Sequence, residues 1–287
     1  MARAGVATTL ARALGRARLH LYAVALLASL TAVGPIAWLL LTSFKLSAEV
    51  YTATPTLFPK RWVLENYLAL VRNTNYVAYG RNSIVITFAG TILTVAVSAL
   101  AAFAFSRYRF RGRNALFLAV LIARMIPPIS FIVPLYYGVR VLNGMDSMLT
   151  LIVLDTVVSL PSGIFILRVF YDQIPRELDD SARIDGCANL KLLLRIIAPL
   201  SVPALAMVTI FTFTGIWNEY LFGVTFGQTH AARPLTVIIA NLVQPEHETS
   251  WGQVAAITMV TTFPMLLLCG YVQRYLVSGI MAGSLKG

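Results

Sequence analysis

The stretch FYDQIPRELDDSARIDGCANLKLLLRIIAPLSVP, residues 170–203, says most about how this chain folds. Pro175 is tolerated in the first turn of a helix, and the acidic residues that begin at Glu177 are favoured there by the helix dipole. Gly186 can adopt the left-handed conformation that ends a helix. We therefore expect one short helix between these residues and a second that begins near Asn189.

Charge spacing in the first of these helices supports the same prediction. Arg176 and Asp180, and likewise Asp179 and Arg183, stand four residues apart with opposite charge, the spacing of neighbours on one helix face. We expect both to form ion pairs. The following residue pair, Ser181 and Ala182, is small enough for the helix to enter a groove closely.

The sequence around this segment is too apolar for a water-soluble protein. Of its 287 residues, 58% are hydrophobic and 12% are charged, whereas a soluble domain has about 25% charged residues. Several runs approach the ~20 residues that cross a bilayer core as a helix. The sequence predicts an all-α polytopic bundle of six spans in a single domain, 1–287, with spans at roughly 20–43, 82–105, 114–138, 148–169, 199–222 and 252–275.

The net charge of +11 is explained by the excess of Lys and Arg in cytoplasmic loops, not by nucleic-acid binding. With the N-terminus inside, the inside segments hold Arg3, Arg12, Arg16, Arg18, Arg107, Arg109, Arg111, Arg113, Arg168, Arg176, Arg183, Lys191, Arg195, Arg274 and Lys286. The outside segments hold Lys45, Lys60, Arg61, Arg72, Arg81, Arg140 and Arg233. This imbalance predicts that both termini are cytoplasmic.

Two outside segments are long, and one span is rich in proline. We expect a short helix near Glu65–Val71. The segment PLTVIIANLV at 234–243 is too short to span a bilayer and is expected to form a short helix or a re-entrant element. Pro127, Pro128 and Pro134 predict a break in the third span where it lines a pathway; the alternative is a kinked helix in ordinary packing.

Within residues 170–203, the pattern E-L-x-x-x-A-x-x-D-G is followed 13 residues later by P-L-x-x-P. It resembles the EAA coupling loop of ABC importer permeases, whose form is close to E-L-x-E-A-A-x-x-D-G-A. The matching residues are Glu177, Leu178, Ala182, Asp185, Gly186, Pro199, Leu200 and Pro203. Asp180, Ser181 and Cys187 stand where the family has its second Glu, its first Ala and its last Ala.

Further matches extend the resemblance over nearly the whole chain, and it is closest to the MalG-like subunit of carbohydrate importers. They are RMIPP at 124–128, PLY at 134–136, WNE at 217–219, PLTV at 234–237, WG at 251–252, QRY at 273–275 and GIMAGSLKG at 279–287. The resemblance implies the type I importer permease fold. It also implies that Glu177, Leu178, Asp180, Ser181, Ala182, Asp185 and Gly186, within a coupling loop at 170–198, dock into a cytoplasmic ATPase.

The resemblance implies a set of partners as well. These are a dimer of cytoplasmic ATP-binding subunits, a second and non-identical permease, and an extracytoplasmic solute-binding protein that meets the loop at 223–250. ATP and Mg²⁺ would be bound by the ATPase, and this chain would hold no cofactor or metal. The sequence agrees, because none of Lys45, Lys60, Lys191 and Lys286 follows a glycine as a P-loop requires.

Polar residues inside apolar runs are candidates for the solute path: Arg124, Asp155, Trp217, Asn218 and Glu219. An ionisable group at the bilayer centre costs about 2.5–3.5 kcal/mol or more, so it needs a partner or water. The alternative is that Arg124 pairs with Glu219 or Asp155 and joins two helices.

Other functions remain to be weighed. A sugar is the expected solute, with glycerol-3-phosphate or a related phosphodiester as the alternative, since Arg124 could meet a phosphate. An ion-coupled secondary transporter is a different class, but we find neither internal repeats nor a reason for a coupling loop there. A membrane enzyme would need converging catalytic groups, and His20, His230 and His247 are scattered.

Overall fold

The computed structural model describes the backbone of residues 2–243 and 249–284, and the side chains of residues 20–243 and 249–273. The acidic segment at 244–248 and the last three residues of the C-terminal motif lie outside the described residues. So do the side chains of the N-terminal arginines, of Arg274 and of Lys286, on which part of the predicted orientation depends.

Every regular element in the described part of the chain is helical. The helices are α1 (Ala2–Ser43), α2 (Ser47–Val50), α3 (Glu65–Arg72), α4 (Thr74–Arg107), α5 (Arg113–Ala123), α6 (Ile132–Val141), α7 (Met148–Asp172), α8 (Glu177–Ile184), α9 (Asn189–Leu192), α10 (Ala198–Leu200), α11 (Val202–Trp217), α12 (Leu221–Phe226), α13 (Leu235–Leu242) and α14 (Trp251–Ser284). A 3-10 turn, Pro128–Phe131, precedes α6, and a π-helical segment, Leu193–Ile197, joins α9 to α10.

The prediction of an all-α membrane bundle is confirmed. Among the described residues, four helical segments are long and apolar enough to cross a membrane: His20–Ser43, Thr74–Arg107, Met148–Asp172 and Trp251–Gln273. Two bent pairs raise the number to six if each pair is one span. The short helices expected near residue 65 and within 234–243 are present as α3 and α13.

The two bent pairs differ from the uninterrupted spans that hydropathy suggests. The pair Arg113–Ala123 and Pro128–Val141 bends by 94°, and the pair Asn189–Leu200 and Val202–Trp217 bends by 85°. The first break falls where Pro127 and Pro128 were expected to interrupt the third span. Pro134 does not break it, because this residue lies in the first turn of α6, where a proline is tolerated.

Residues 71–243 and 261–284 form one compact unit, in which α4 and α7 pack along each other and α11 packs on both. Small residues let these helices approach closely, as is usual between membrane helices. Two apolar clusters fill the unit. One surrounds Leu167 and Leu192, and the other surrounds Leu151 and Phe226.

These clusters mark opposite ends of the unit. The C-terminal end of α4 lies with the segment that follows α7, because the carbonyl of Ser106 accepts a hydrogen bond from Arg176. At the other end, Asn82 near the start of α4 donates to the carbonyls of His230 and Arg233. This arrangement agrees with the predicted alternation of loops between two faces.

Residues up to 70 and from 249 to 260 form a second compact unit. In it Asn66 donates to the carbonyls of Ser43 and Lys45, which ties α3 to the end of α1. The hydroxyl of Thr56 and the backbone N–H of Lys60 donate to Glu49, and these hydrogen bonds lower the pKa of that exposed carboxyl.

Candidate functional site

The helix expected between Pro175 and Gly186 is present as α8, and its C-terminal end follows a Schellman motif. The N–H of Gly186 donates to the carbonyl of Arg183 at 3.0 Å, and the N–H of Cys187 donates to that of Ala182 at 2.9 Å. Gly186 has φ of +78°, which strains any residue with a Cβ. The sequence prediction for this glycine is confirmed.

The predicted coupling residues fall on two faces of α8. Glu177, Leu178, Asp180, Ser181, Asp185 and Gly186 are exposed. Ala182 is 4% exposed and packs in the cluster that contains Leu167 and Tyr171 of α7 and Leu192 of α9. The small side chain of Ala182 therefore brings α8 close to its own unit and is not part of the outer face.

The outer face of α8 also carries an apolar residue that sequence analysis did not select. Ile184 is 87% exposed and Leu178 is 42% exposed, although both are large and apolar. The face thus combines carboxylates of Glu177 and Asp180 with two aliphatic side chains, a composition suited to a protein partner. The only signal in the sequence was an aliphatic residue two positions before the glycine that ends α8.

The prediction that two ion pairs form between residues four positions apart in and beside α8 is wrong. The ion pairs among the described residues are Arg107–Asp179 and Arg168–Asp172, so Asp179 pairs outside its own helix. Arg176 does not pair with Asp180; its Nη2 donates to the carbonyl of Ser106 at 3.1 Å. Spacing along one helix cannot reveal a partner from another helix, and tertiary contacts decide here.

A group of polar contacts joins α4, the end of α7 and α8; we call it the polar junction. Its members are Ser106, Arg107, Tyr171, Asp172, Ile174, Arg176 and Asp179. Arg107 Nε lies 2.7 Å from Asp179 Oδ2, and both side chains are more than nine-tenths buried. Arg107 also donates from Nη1 to the carbonyl of Tyr171 at 2.9 Å and from Nη2 to that of Ile174 at 3.1 Å.

A second candidate site lies where α5 ends inside the apolar region. Arg124 caps α5 eleven residues after its start at Arg113, about 16 Å along the helix and close to the middle of a ~30 Å bilayer core. An open cavity of about 510 Å³ adjoins it, lined by residues of α5, α7 and α11. Its wall carries Arg124, the hydroxyl residues Ser159, Ser162 and Thr212, and the rings of Phe165 and Phe211.

Arg124 itself is exposed, and its guanidinium makes no hydrogen bond or ion pair with any described residue. The predicted pairing of Arg124 with Glu219 or Asp155 is therefore not formed. An unpaired ionisable group inside a bilayer needs water or a partner, and the cavity beside Arg124 is open enough to admit either.

The other four residues expected on the solute path lie elsewhere. Asp155 is buried and shares with Glu219 a space of about 10 Å³, room for about one water molecule. Glu219 caps α12, because its two carboxylate oxygens accept from the N–H groups of Phe222 at 2.7 Å and Gly223 at 3.0 Å.

Trp217 and Asn218 complete this structural role of the WNE motif. The indole of Trp217 is 7% exposed, stacks on Phe213 and donates from Nε1 to the carbonyl of Thr261 at 3.0 Å. The amide of Asn218 is exposed and donates to the carbonyl of Thr214 at 2.8 Å. Of the five residues expected on the solute path, Arg124 alone lines the larger cavity. The WNE motif instead ends α11 and starts α12.

Comparison with known proteins identifies the fold and the family. Residues 90–281 match the family described as the binding-protein-dependent transport system inner membrane component. The trehalose/maltose transport system permease protein MalG of Thermococcus litoralis is 34% identical over 94% of this chain and 97% of its own length. The sulfoquinovosyl glycerol transport system permease protein SmoH of Agrobacterium fabrum is also 34% identical, over 88% of each chain.

A solved structure extends the comparison to three dimensions. A chain of the bacterial ABC transporter that imports the acidic polysaccharide alginate has a TM-score of 0.79 against this chain. The match covers 91% of this chain and 96% of that one, at 22% identity, and shows that the two share a fold.

Proposed function

Because this chain belongs to the family of inner membrane components of binding-protein-dependent transport systems, we propose that it is the permease subunit of an ATP-driven sugar importer. The observation that carries the proposal is α8, a short helix held at one end of the bundle with an exposed face of carboxylates and aliphatic side chains. The names of the two similar relatives, both transporters of sugar compounds, support a sugar as the solute.

In this proposal the exposed face of α8 docks into a cleft of a cytoplasmic ATPase, which binds ATP and Mg²⁺. Glu177, Asp180, Ser181, Asp185 and Gly186 form the contact together with Leu178 and Ile184. Closure of two such ATPase subunits around their nucleotides moves α8. The chain itself supplies no catalytic group to ATP hydrolysis.

The remaining partners and the orientation follow from the same proposal. α8 and the arginines of residues 107–113 face the cytoplasm, as do both termini. A second, non-identical permease completes the pathway. A solute-binding protein delivers the sugar at the opposite end, where α12 and α13 form the surface of the loop at 223–243.

The solute path of this subunit runs through the cavity beside Arg124. Its hydroxyl groups and guanidinium suit the hydroxyl groups of a sugar, and the rings of Phe165 and Phe211 suit the apolar faces of a pyranose. Asp155, Trp217, Asn218 and Glu219 are removed from this path, since they cap helices or lie in a space too small for a sugar.

One observation favours a second solute class. The unpaired guanidinium of Arg124 offers two parallel N–H donors, the arrangement that binds phosphate groups. A glycerol-3-phosphate-type importer therefore remains the alternative, and solute charge distinguishes the two.

Cysteine cross-linking tests the docking of α8. In a variant with Cys187→Ser and Cys269→Ser, a single cysteine is introduced as Ser181→Cys or Ile184→Cys. We expect a benzophenone maleimide attached at either position to photo-cross-link to the ATPase in the assembled importer, because both side chains are exposed on the outer face of α8.

Leu142→Cys is the matched control, since this residue is exposed directly after α6, at the opposite end of the bundle, and has a negative φ. It should give no link to the ATPase and should react with an impermeant thiol reagent from outside. The proposal fails if position 181 reacts from outside, or if neither α8 position is linked to an ATPase.

A further inference from the structure

Arg107 differs from its neighbours in the basic run 107–113, which the positive-inside rule explains as a group. Arg109 and Arg111 are exposed, and Arg113 donates a single hydrogen bond, to the carbonyl of Tyr108. The side chain of Arg107 is 3% exposed, and all three of its guanidinium nitrogens contact polar atoms. A residue that served topology alone would not need these contacts.

The contacts of Arg107 join three helices through one rigid group. Its planar guanidinium hydrogen-bonds to two carbonyls at the end of α7 and forms an ion pair with the carboxylate of α8, so these groups are arranged around one rigid side chain. Tyr171 lies in the last turn of α7 and Ile174 lies two residues beyond its end, where a cation is favoured by the helix dipole.

A second chain of contacts fixes the same three elements. Ser106 donates from Oγ to Asp172 Oδ1 at 2.6 Å, and its carbonyl accepts from Arg176, the residue that precedes α8. The polar junction thus connects consecutive residues of α4 with both the end of α7 and the start of α8. Apolar packing around Ala182 has no such directional preference, so the junction is what defines the orientation of α8.

We propose that the polar junction is the rigid link through which movement of α8 is passed to α4 and α7, with Arg107 as its positioning residue. The inference rests on the proposed docking of α8 to an ATPase. Without the junction, α8 still docks, but its displacement is absorbed by a change in its angle to the bundle. ATP hydrolysis then continues while solute transport is lost.

The test uses the importer assembled from its partner subunits in liposomes. Removing Arg107 alone would leave Asp179 as an unpaired buried charge and could prevent folding. The key variant is therefore Arg107→Met with Asp179→Leu, because apolar residues of similar volume can replace a buried ion pair without loss of stability. Arg111→Met is the matched control, an exposed arginine of the same run.

We expect the double variant to assemble, to keep ATP hydrolysis within about threefold of the parent and to lose about tenfold or more of its uptake, in the range of measured coupling effects. Arg111→Met should retain both activities.

Parent-like uptake by the assembled double variant overturns the inference, since the junction would then serve folding alone. An equal fall in hydrolysis and uptake overturns it too. The cross-link from Ser181→Cys separates this failure from that of the proposed function. A link that forms in the double variant shows that docking persists, whereas a link absent from the parent removes the premise.

Discussion

At the scale of the residue, Gly186 shows how a backbone angle determines the end of α8. Nothing lies within 4 Å of the position that a Cβ would take, so a substitution there is opposed by the φ of +78° and not by a clash. Adopting this conformation costs a residue other than glycine about 1–2 kcal/mol, and more for a β-branched side chain. Asn is the exception, because its short polar side chain tolerates the left-handed region.

We therefore predict that Gly186→Val lowers uptake by about 5–30-fold, the population change that corresponds to 1–2 kcal/mol. The amount of protein in the membrane should stay unchanged. Gly186→Asn is the control, and the logarithm of its fold loss in uptake should be less than half of the value for Gly186→Val. Rates of radiolabelled sugar uptake, normalised to the amount of assembled complex, provide the measurement. Equal loss in the two variants would show that space, not backbone conformation, matters at this position.

At the residue scale, the sequence predicted features that depend on neighbouring residues and failed for contacts between residues that are far apart in the chain. Gly186 and the proline break before α6 follow from backbone sterics, which a few neighbouring residues determine. The partner of Asp179 is 72 positions away along the chain, in α4, so charge spacing alone assigned it to Arg183 instead. The roles of Trp217 and Glu219 were missed for the same reason, because caps and buried indoles are recognised by what they contact.

At the scale of the element, the contact between α4 and α7 depends on a glycine. A Cβ at Gly163 would lie 2.4 Å from Ser98 Oγ and 3.3 Å from a methyl group of Val208. Ser98 Oγ is buried and has no hydrogen-bond partner among the described residues. Rotating this hydroxyl away from an added methyl group would therefore not be compensated by a new hydrogen bond. Inserting a methyl group into such packing costs about 1–3 kcal/mol.

Gly163→Ala should accordingly lower the melting temperature of the purified protein in detergent, and Ser98→Ala in the same chain should restore part of it by removing the nearest atom. Gly215→Ala is the control, because no atom lies within 4 Å of the Cβ position there. Melting curves from intrinsic tryptophan fluorescence would give the comparison. A larger loss from Gly215→Ala than from Gly163→Ala would contradict this account of the contact.

At the scale of the whole molecule, hydropathy indicated six apolar spans, whereas the described residues contain four long apolar helices and two pairs that are bent by 94° and 85°. Length alone indicates that the short helices α3 and α13 do not cross the bilayer. The end of α11 at Trp217 does not, because the apolar run continues to Phe226 and Glu219 divides it by capping α12. Arg124 was identified as a candidate, but the cavity was not, since Ser159, Ser162 and Thr212 come from helices that only the fold brings together.

The charge of the solute decides what Arg124 does in that cavity, and two substitutions distinguish the possibilities. A neutral sugar accepts hydrogen bonds from the guanidinium without needing its full charge, and Arg124→Gln keeps a donor while Arg124→Met does not. For sugar import we predict that the KM for uptake of the imported sugar rises less than about threefold in Arg124→Gln and about tenfold or more in Arg124→Met, as expected for loss of one hydrogen bond from a charged donor, about 1.5–3 kcal/mol.

A phosphate-bearing solute would behave differently, because it needs the positive charge and a charged hydrogen bond contributes about 1.5–3 kcal/mol. Uptake of glycerol-3-phosphate would then fall by a similar and large factor in both variants, and neutral sugars would compete poorly in the parent. Arg140→Gln, an exposed arginine at the far end of α6, controls for a general effect of net charge. The pattern across the variants therefore assigns the solute class from the cavity itself, since an importer of neutral sugars tolerates loss of the charge at Arg124 as long as a donor remains.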